Sequence, residues 1–105
     1  MAWVHLLIAA VFEIAWALGL KSSQGFTRFW PSVLTLAALI ASFVFLALAV
    51  RTIPVGTGYA IWTGIGAVGT AVLGMVLFAE PANAPRIFFL LLIIIGVVGL
   101  KFSAD

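Results

Sequence analysis

Residues 3–20 read WVHLLIAAVFEIAWALGL, a run interrupted by one carboxylate, Glu13. A stretch this apolar approaches the ~20 residues that carry a helix across a ~30 Å hydrocarbon layer. It does not read as a secretory leader: no basic region precedes it, a glutamate lies inside its apolar part, and no convincing small-residue cleavage site follows. The expectation is a retained transmembrane helix.

Working outward, every charge and every Pro or Gly cluster divides the chain into four such runs, approximately residues 3–20, 30–50, 55–78 and 86–100. The joints are short and polar: KSSQGFTRF at 21–29, a tight breaker at 51–54, and AEPANAP at 79–85 with two prolines. Helices joined so briefly must run antiparallel to their neighbours. Trp3, Phe29 and Trp30 near the run ends suit the aromatic belt at a membrane surface, and Trp30-Pro31 suits a helix start.

Composition agrees. The chain has 105 residues, 66% of them hydrophobic, against roughly 45–50% in a soluble domain. A small domain buries the smallest share of its surface, so lipid must be the solvent. The predicted fold is an all-α integral membrane protein, one four-helix transmembrane domain over residues 1–105. Charged residues make up 8%, and the five basic ones, Lys21, Arg28, Arg51, Arg86 and Lys101, are dispersed. They mark helix ends at a membrane, not a nucleic-acid footprint. Cysteine is absent, which excludes disulfides and thiolate metal sites. No metal site, cofactor site or hydrolytic constellation is legible, so no enzyme is expected.

Orientation is nearly unbiased. With four spans, Arg51, Lys101 and the amino terminus share one side, while Lys21, Arg28 and Arg86 share the other. Such an even division gives the positive-inside rule little to act on, so the chain is expected to insert both ways. Two oppositely oriented copies can pair about an axis in the membrane plane. Four helices are too few to enclose a solute pathway, which makes an antiparallel, dual-topology homodimer the expected minimum unit.

Glu13 lies ten residues beyond Trp3, which at ~1.5 Å per residue places it near the midplane. A carboxylate there costs about 2.5–3.5 kcal/mol on insertion scales, and such residues usually face a bundle interior or a watery cavity. The bland alternative is a protonated glutamate acting as interhelical hydrogen-bond glue. Against that, no other acid or base occurs at mid-depth in any of the runs to pair with it.

Helical spacing places Ala9, Ala10, Glu13, Trp16 and Ala17 on one stripe, with the Trp16 indole N–H one turn from the carboxylate. Ser42 falls at mid-depth in the second run, on a face with Thr35, Ala38 and Ala49, and Tyr59 and Trp62 are three apart in the third. Taken singly, the serine can bond its own backbone and the aromatics can simply pack. Together, Glu13, Trp16, Ser42, Tyr59 and Trp62 read as a lined site for a cation, with the acid alternating between proton and substrate. The density of specific hydrogen-bonding groups favours a planar guanidinium with paired N–H donors over a quaternary ammonium, which relies on charge and aromatic faces.

Residues 64–69, GIGAVG, match a dinucleotide-binding pattern but lie inside an apolar span, with no strand before them. Gly64 and Gly66 are read instead as slimming the third helix, for a bend or for close packing. Gly96 and Gly99, in an almost wholly aliphatic run, suit dimer packing.

The segments Phe12-Glu13-Ile14-Ala15-Trp16-Ala17, Leu20-Lys21 and 54–66, PVGTGYAIWTGIG, together with the four short spans, resemble the small multidrug resistance family of bacterial transporters over essentially the full chain. Trp16, Ser42 and Lys101 are similar to the guanidinium-exporting branch; multidrug members usually carry glycine where Trp16 stands. The resemblance implies an antiparallel homodimer in the bacterial inner membrane exchanging protons for cations, with Glu13 of both subunits as the shared site. It also implies that Trp16, Ser42, Tyr59 and Trp62 hydrogen-bond the glutamates and that Gly64 and Gly66 mark a bend. Two other classes stay open: a polyspecific exporter of quaternary ammonium and lipophilic cations, and a non-transporting membrane subunit. His5 and Pro85 have no match, and His5 is read as decoration at the membrane edge.

Overall fold

In lipid the backbone has no water to bond, so each apolar run satisfies its N–H and C=O groups by coiling on itself. The computed structural model describes residues 1–104 and contains, among them, four helices: α1 (Ala2–Ser22), α2 (Phe29–Ala49), α3 (Val55–Leu77) and α4 (Ala84–Ala104). Each has 21 to 23 residues, a length of about 31–35 Å, which matches the hydrocarbon layer. All four are apolar enough to span a membrane.

The helices alternate in direction. Lys101 near the end of α4 lies over the Trp3 ring at the start of α1, 4.6 Å from its centroid, while Lys21 at the end of α1 lies 5.0 Å from the Phe78 ring beyond α3. The principal packing is α1 on α2, then α1 on α3. Small residues set its closeness: Ala9 and Ala10 are buried on α1, and Thr35, Ser42 and Ala49 recur every seven residues along α2, the spacing of a coiled-coil seam. At Gly19 a Cβ would overlap the Thr35 hydroxyl, so this approach of α1 to α2 requires glycine.

α4 lies against α3 and has no buried residue in its apolar window. Leu92, Ile95 and Val98 remain exposed, as do Leu34, Ile40 and Val76 on the other helices. The Cα envelope measures 42 × 34 × 16 Å. A layer this thin leaves broad apolar faces for lipid or a second copy.

Local sequence explains the ends. The α1–α2 loop is tied by Ser23, whose hydroxyl accepts the Phe26 N–H at 3.1 Å while Gly25 takes a left-handed φ of 70°. α4 begins two residues before Arg86, because Pro85 falls in the first helical turn, where no backbone N–H is needed. Asn83 accepts the Arg86 N–H on its side-chain oxygen at 3.0 Å. His5 is half-buried, its ring 6.0 Å from that of Phe45 on α2, so it packs between helices rather than decorating a surface.

Candidate functional site

Glu13 projects from the middle of α1 toward α3. A Cβ at Gly66 would overlap Glu13 Cγ, so Gly66 supplies the space the side chain fills. The Trp16 indole N–H, one turn along α1, donates to Glu13 Oε1 at 2.5 Å. A donor three residues along the same helix is fixed by helical geometry alone, so this pair needs no tertiary contact to form.

Ser42, Trp62 and Tyr59 form a second group. The Trp62 indole N–H donates to the Ser42 hydroxyl at 2.9 Å, and that hydroxyl donates to the Ala9 carbonyl at 2.7 Å. Ser42 is fully buried and Trp62 nearly so. The chain of bonds ties α3 to α2 and α2 to α1, ending one turn before Glu13. With its proton committed to Ala9, Ser42 is a strut beside the carboxylate within one subunit. Tyr59 stacks obliquely on Trp62, 5.5 Å between centroids, and stays 57% exposed with its ring on the outer face.

A cavity of about 400 Å³ opens beside Glu13, lined by Trp16, Thr63, Gly66, Thr70, Glu80 and Arg86 among others. The last two form an ion pair, Arg86 Nη2 to Glu80 Oε1 at 2.9 Å. Sequence reading passed over Thr63, Thr70, Glu80 and Arg86. The hydroxyls had a signal, since Thr63, Gly66 and Thr70 share the i, i+3, i+7 face of α3; the loop acid had none.

The glycines divide. Gly66 faces Glu13, whereas a Cβ at Gly64 would lie 2.5 Å from Val97 Cγ2 on α4. α3 is helical without a break across both. Gly96 and Gly99 have no atom within 4 Å of where a Cβ would stand, on the face of α4 that α3 leaves open.

Four membrane helices with a mid-span carboxylate opening on a cavity that also holds a charged pair are the features of a small multi-pass membrane transporter. The chain belongs to the Small Multidrug Resistance protein family, which matches residues 1–93. Relatives named guanidinium exporter share 53% identity over 103 residues in Citrobacter freundii, 98% of each chain, and 54% over 104 residues in Yersinia pseudotuberculosis, 99% of this chain and all of that one. The Escherichia coli guanidinium exporter is 52% identical over 103 residues, again 98% of both. The chain is therefore a multi-pass transport protein of the bacterial inner membrane.

Proposed function

We propose that this protein exports guanidinium ion and small substituted guanidinium compounds in exchange for protons, as an antiparallel homodimer in which Glu13 of both subunits alternately holds proton and cation. The observation that carries the reading is the Glu13 carboxylate, bonded to the Trp16 indole and opening on the cavity between α1 and α3. The names of the full-length relatives support the substrate.

The coupling has a physical basis. A bare carboxylate at mid-membrane is penalised, while a protonated one or one neutralised by a cation is not. Passage between the two faces is therefore favoured only in the loaded states, and the proton and the cation compete for one charge. Trp16 takes one lone pair of Oε1, and since each carboxylate oxygen has two, both oxygens can still accept the paired N–H donors of a planar guanidinium.

The test is guanidinium-driven proton movement in liposomes containing this protein alone. Glu13→Gln keeps the size and hydrogen-bonding of the side chain but neither the charge nor the titratable proton. The expected result is a response from the wild type and none from the variant. Transport of tetraalkylammonium without a guanidinium response would instead favour the polyspecific class, and a fully active Gln variant would remove Glu13 from the mechanism.

A further inference from the structure

The ion pair at the cavity mouth is built with some care. Ala79 has φ of 55°, a left-handed conformation uncommon for a residue with a Cβ, and it turns the chain leaving α3 back over its last turn. The Glu80 N–H then reaches the Gly74 carbonyl at 3.3 Å. The Glu80 carboxylate lies in a slot that Gly74 leaves open, since a Cβ there would stand 2.5 Å from Oε1 and 2.9 Å from Cδ. Arg86, in the first turn of α4, donates to that same Oε1. Of the other two cations at this end of the helices, Lys21 is engaged over the Phe78 ring and Arg28 donates to the Ser22 carbonyl at 3.4 Å.

Gly66, Thr70 and Gly74 recur every four residues on one face of α3. Gly66 adjoins Glu13, Gly74 adjoins Glu80, and between them Thr70 Oγ1 is buried with no hydrogen-bond partner among the described residues. Eight residues of helix separate the two stations by about 12 Å. One cavity thus joins a mid-membrane carboxylate to an outer carboxylate that already holds a guanidinium group, that of Arg86.

We propose that Glu80 is a second, outer guanidinium-binding station, where a travelling cation displaces Arg86, rests, and passes Thr70 on its way to or from Glu13. The inference rests on the exporter reading of Glu13. A free guanidinium presents the same planar fork of donors as Arg86, so a carboxylate placed for one accepts the other, whereas a quaternary ammonium has no N–H to offer. The pair is about one-third exposed, and ion pairs in that setting are held loosely enough to exchange. Arg86 stays tethered at the mouth as a built-in competitor and retakes Glu80 once the cation has moved on.

The test is the guanidinium concentration dependence of proton movement in liposomes for the wild type, Glu80→Gln, Arg86→Gln and the double variant. Glu80→Gln should raise KM roughly three- to tenfold, and Arg86→Gln, which removes the competitor, should lower it by a similar factor. The double variant should follow Glu80→Gln. A pair that merely clasps the loop would move both single variants in the same direction, which would overturn the proposal. Gly74→Ala, which crowds the Glu80 carboxylate without removing its charge, should also raise KM and decides the matter if Glu80→Gln fails to assemble. A wild type silent to guanidinium sinks this proposal together with the exporter reading. An active wild type whose KM is unmoved by these substitutions sinks this proposal alone.

Discussion

Gly66 on α3 and Glu13 on α1 are in direct contact, and the glutamate stem occupies the volume a side chain at 66 would fill. Gly66→Ala must therefore rotate Glu13 or push the helices apart. Rotation takes the carboxylate from Trp16, and separation takes it from the α3 wall of its cavity; displacements of about 1 Å at a reacting group can cost on the order of a hundredfold. Guanidinium transport by Gly66→Ala is expected to fall at least about tenfold. Gly69→Ala crowds the aliphatic end of Ile14 on the same helix pair, and the comparison of transport rates separates loss of the site from loss of packing. Equal losses would remove the special role of Gly66.

Trp16→Phe tests the indole N–H apart from the ring. The substitution keeps an aromatic of similar shape and deletes the donor to Glu13 Oε1. A hydrogen bond to a charged group is worth about 1.5–3 kcal/mol, or roughly ten- to a hundredfold in affinity. KM for guanidinium is expected to rise toward the lower end of that range, because water in the cavity supplies part of the lost bonding. An unchanged KM in liposome transport would show the indole to be packing only.

The Ser42 bonds predict a coupled stability effect. Ser42→Ala strands both the Trp62 N–H and one bond to the Ala9 carbonyl, and an unsatisfied buried polar group costs about 1–3 kcal/mol. Trp62→Phe strands less, since the Ser42 proton still reaches Ala9. In thermal unfolding in detergent, Ser42→Ala should be clearly destabilised, and the double variant should be less so than the sum of the singles, by about 0.5–1.5 kcal/mol. Strict additivity would mean the two side chains do not act as a unit.

These residues also show what a sequence discloses. The four helices are legible because apolar runs and their breakers are local, and the Glu13–Trp16 pair is legible because a three-residue spacing on a helix fixes it. The far end of α4 runs past the expected Leu100, since Lys101, Phe102 and Ser103 remain helical. The Ser42–Trp62 bond spans twenty residues and two helices; either side chain is equally consistent with self-bonding or plain packing until α2 and α3 are placed. Glu80 is the least legible. Its position depends on a left-handed Ala79, and alanine gives no sign of a positive φ.

In the proposed homodimer, the open face of α4 is where the two copies are expected to meet. Gly96 and Gly99 face open space, and small residues let helix backbones approach closely in lipid. Gly96→Leu should shift the protein from dimer to monomer in mild detergent, read by light scattering on a sizing column. Transport should fall in parallel, because a lone subunit cannot bring two Glu13 side chains to one site. A dimer that survives Gly96→Leu and Gly99→Leu alike would place the interface elsewhere.

Dual orientation is testable because the chain contains no cysteine. Gln24 in the α1–α2 loop and Thr52 in the α2–α3 turn are exposed and lie at opposite ends of α2. Single cysteines there should each be labelled from outside the cell, to about half, by an impermeant maleimide if two cations at one end against three at the other leave insertion unbiased. A fixed orientation would label one position fully and the other not at all. Adding lysine at Gln24 should bias the chain one way, and adding it at Thr52 the other, since each loop cation favours the cytoplasmic side. Either biased variant alone should lose guanidinium transport, for want of an oppositely oriented partner, and co-expression of the two should restore it. Full activity from one strictly single-orientation variant would contradict the antiparallel dimer while leaving the roles of Glu13 and Trp16 intact.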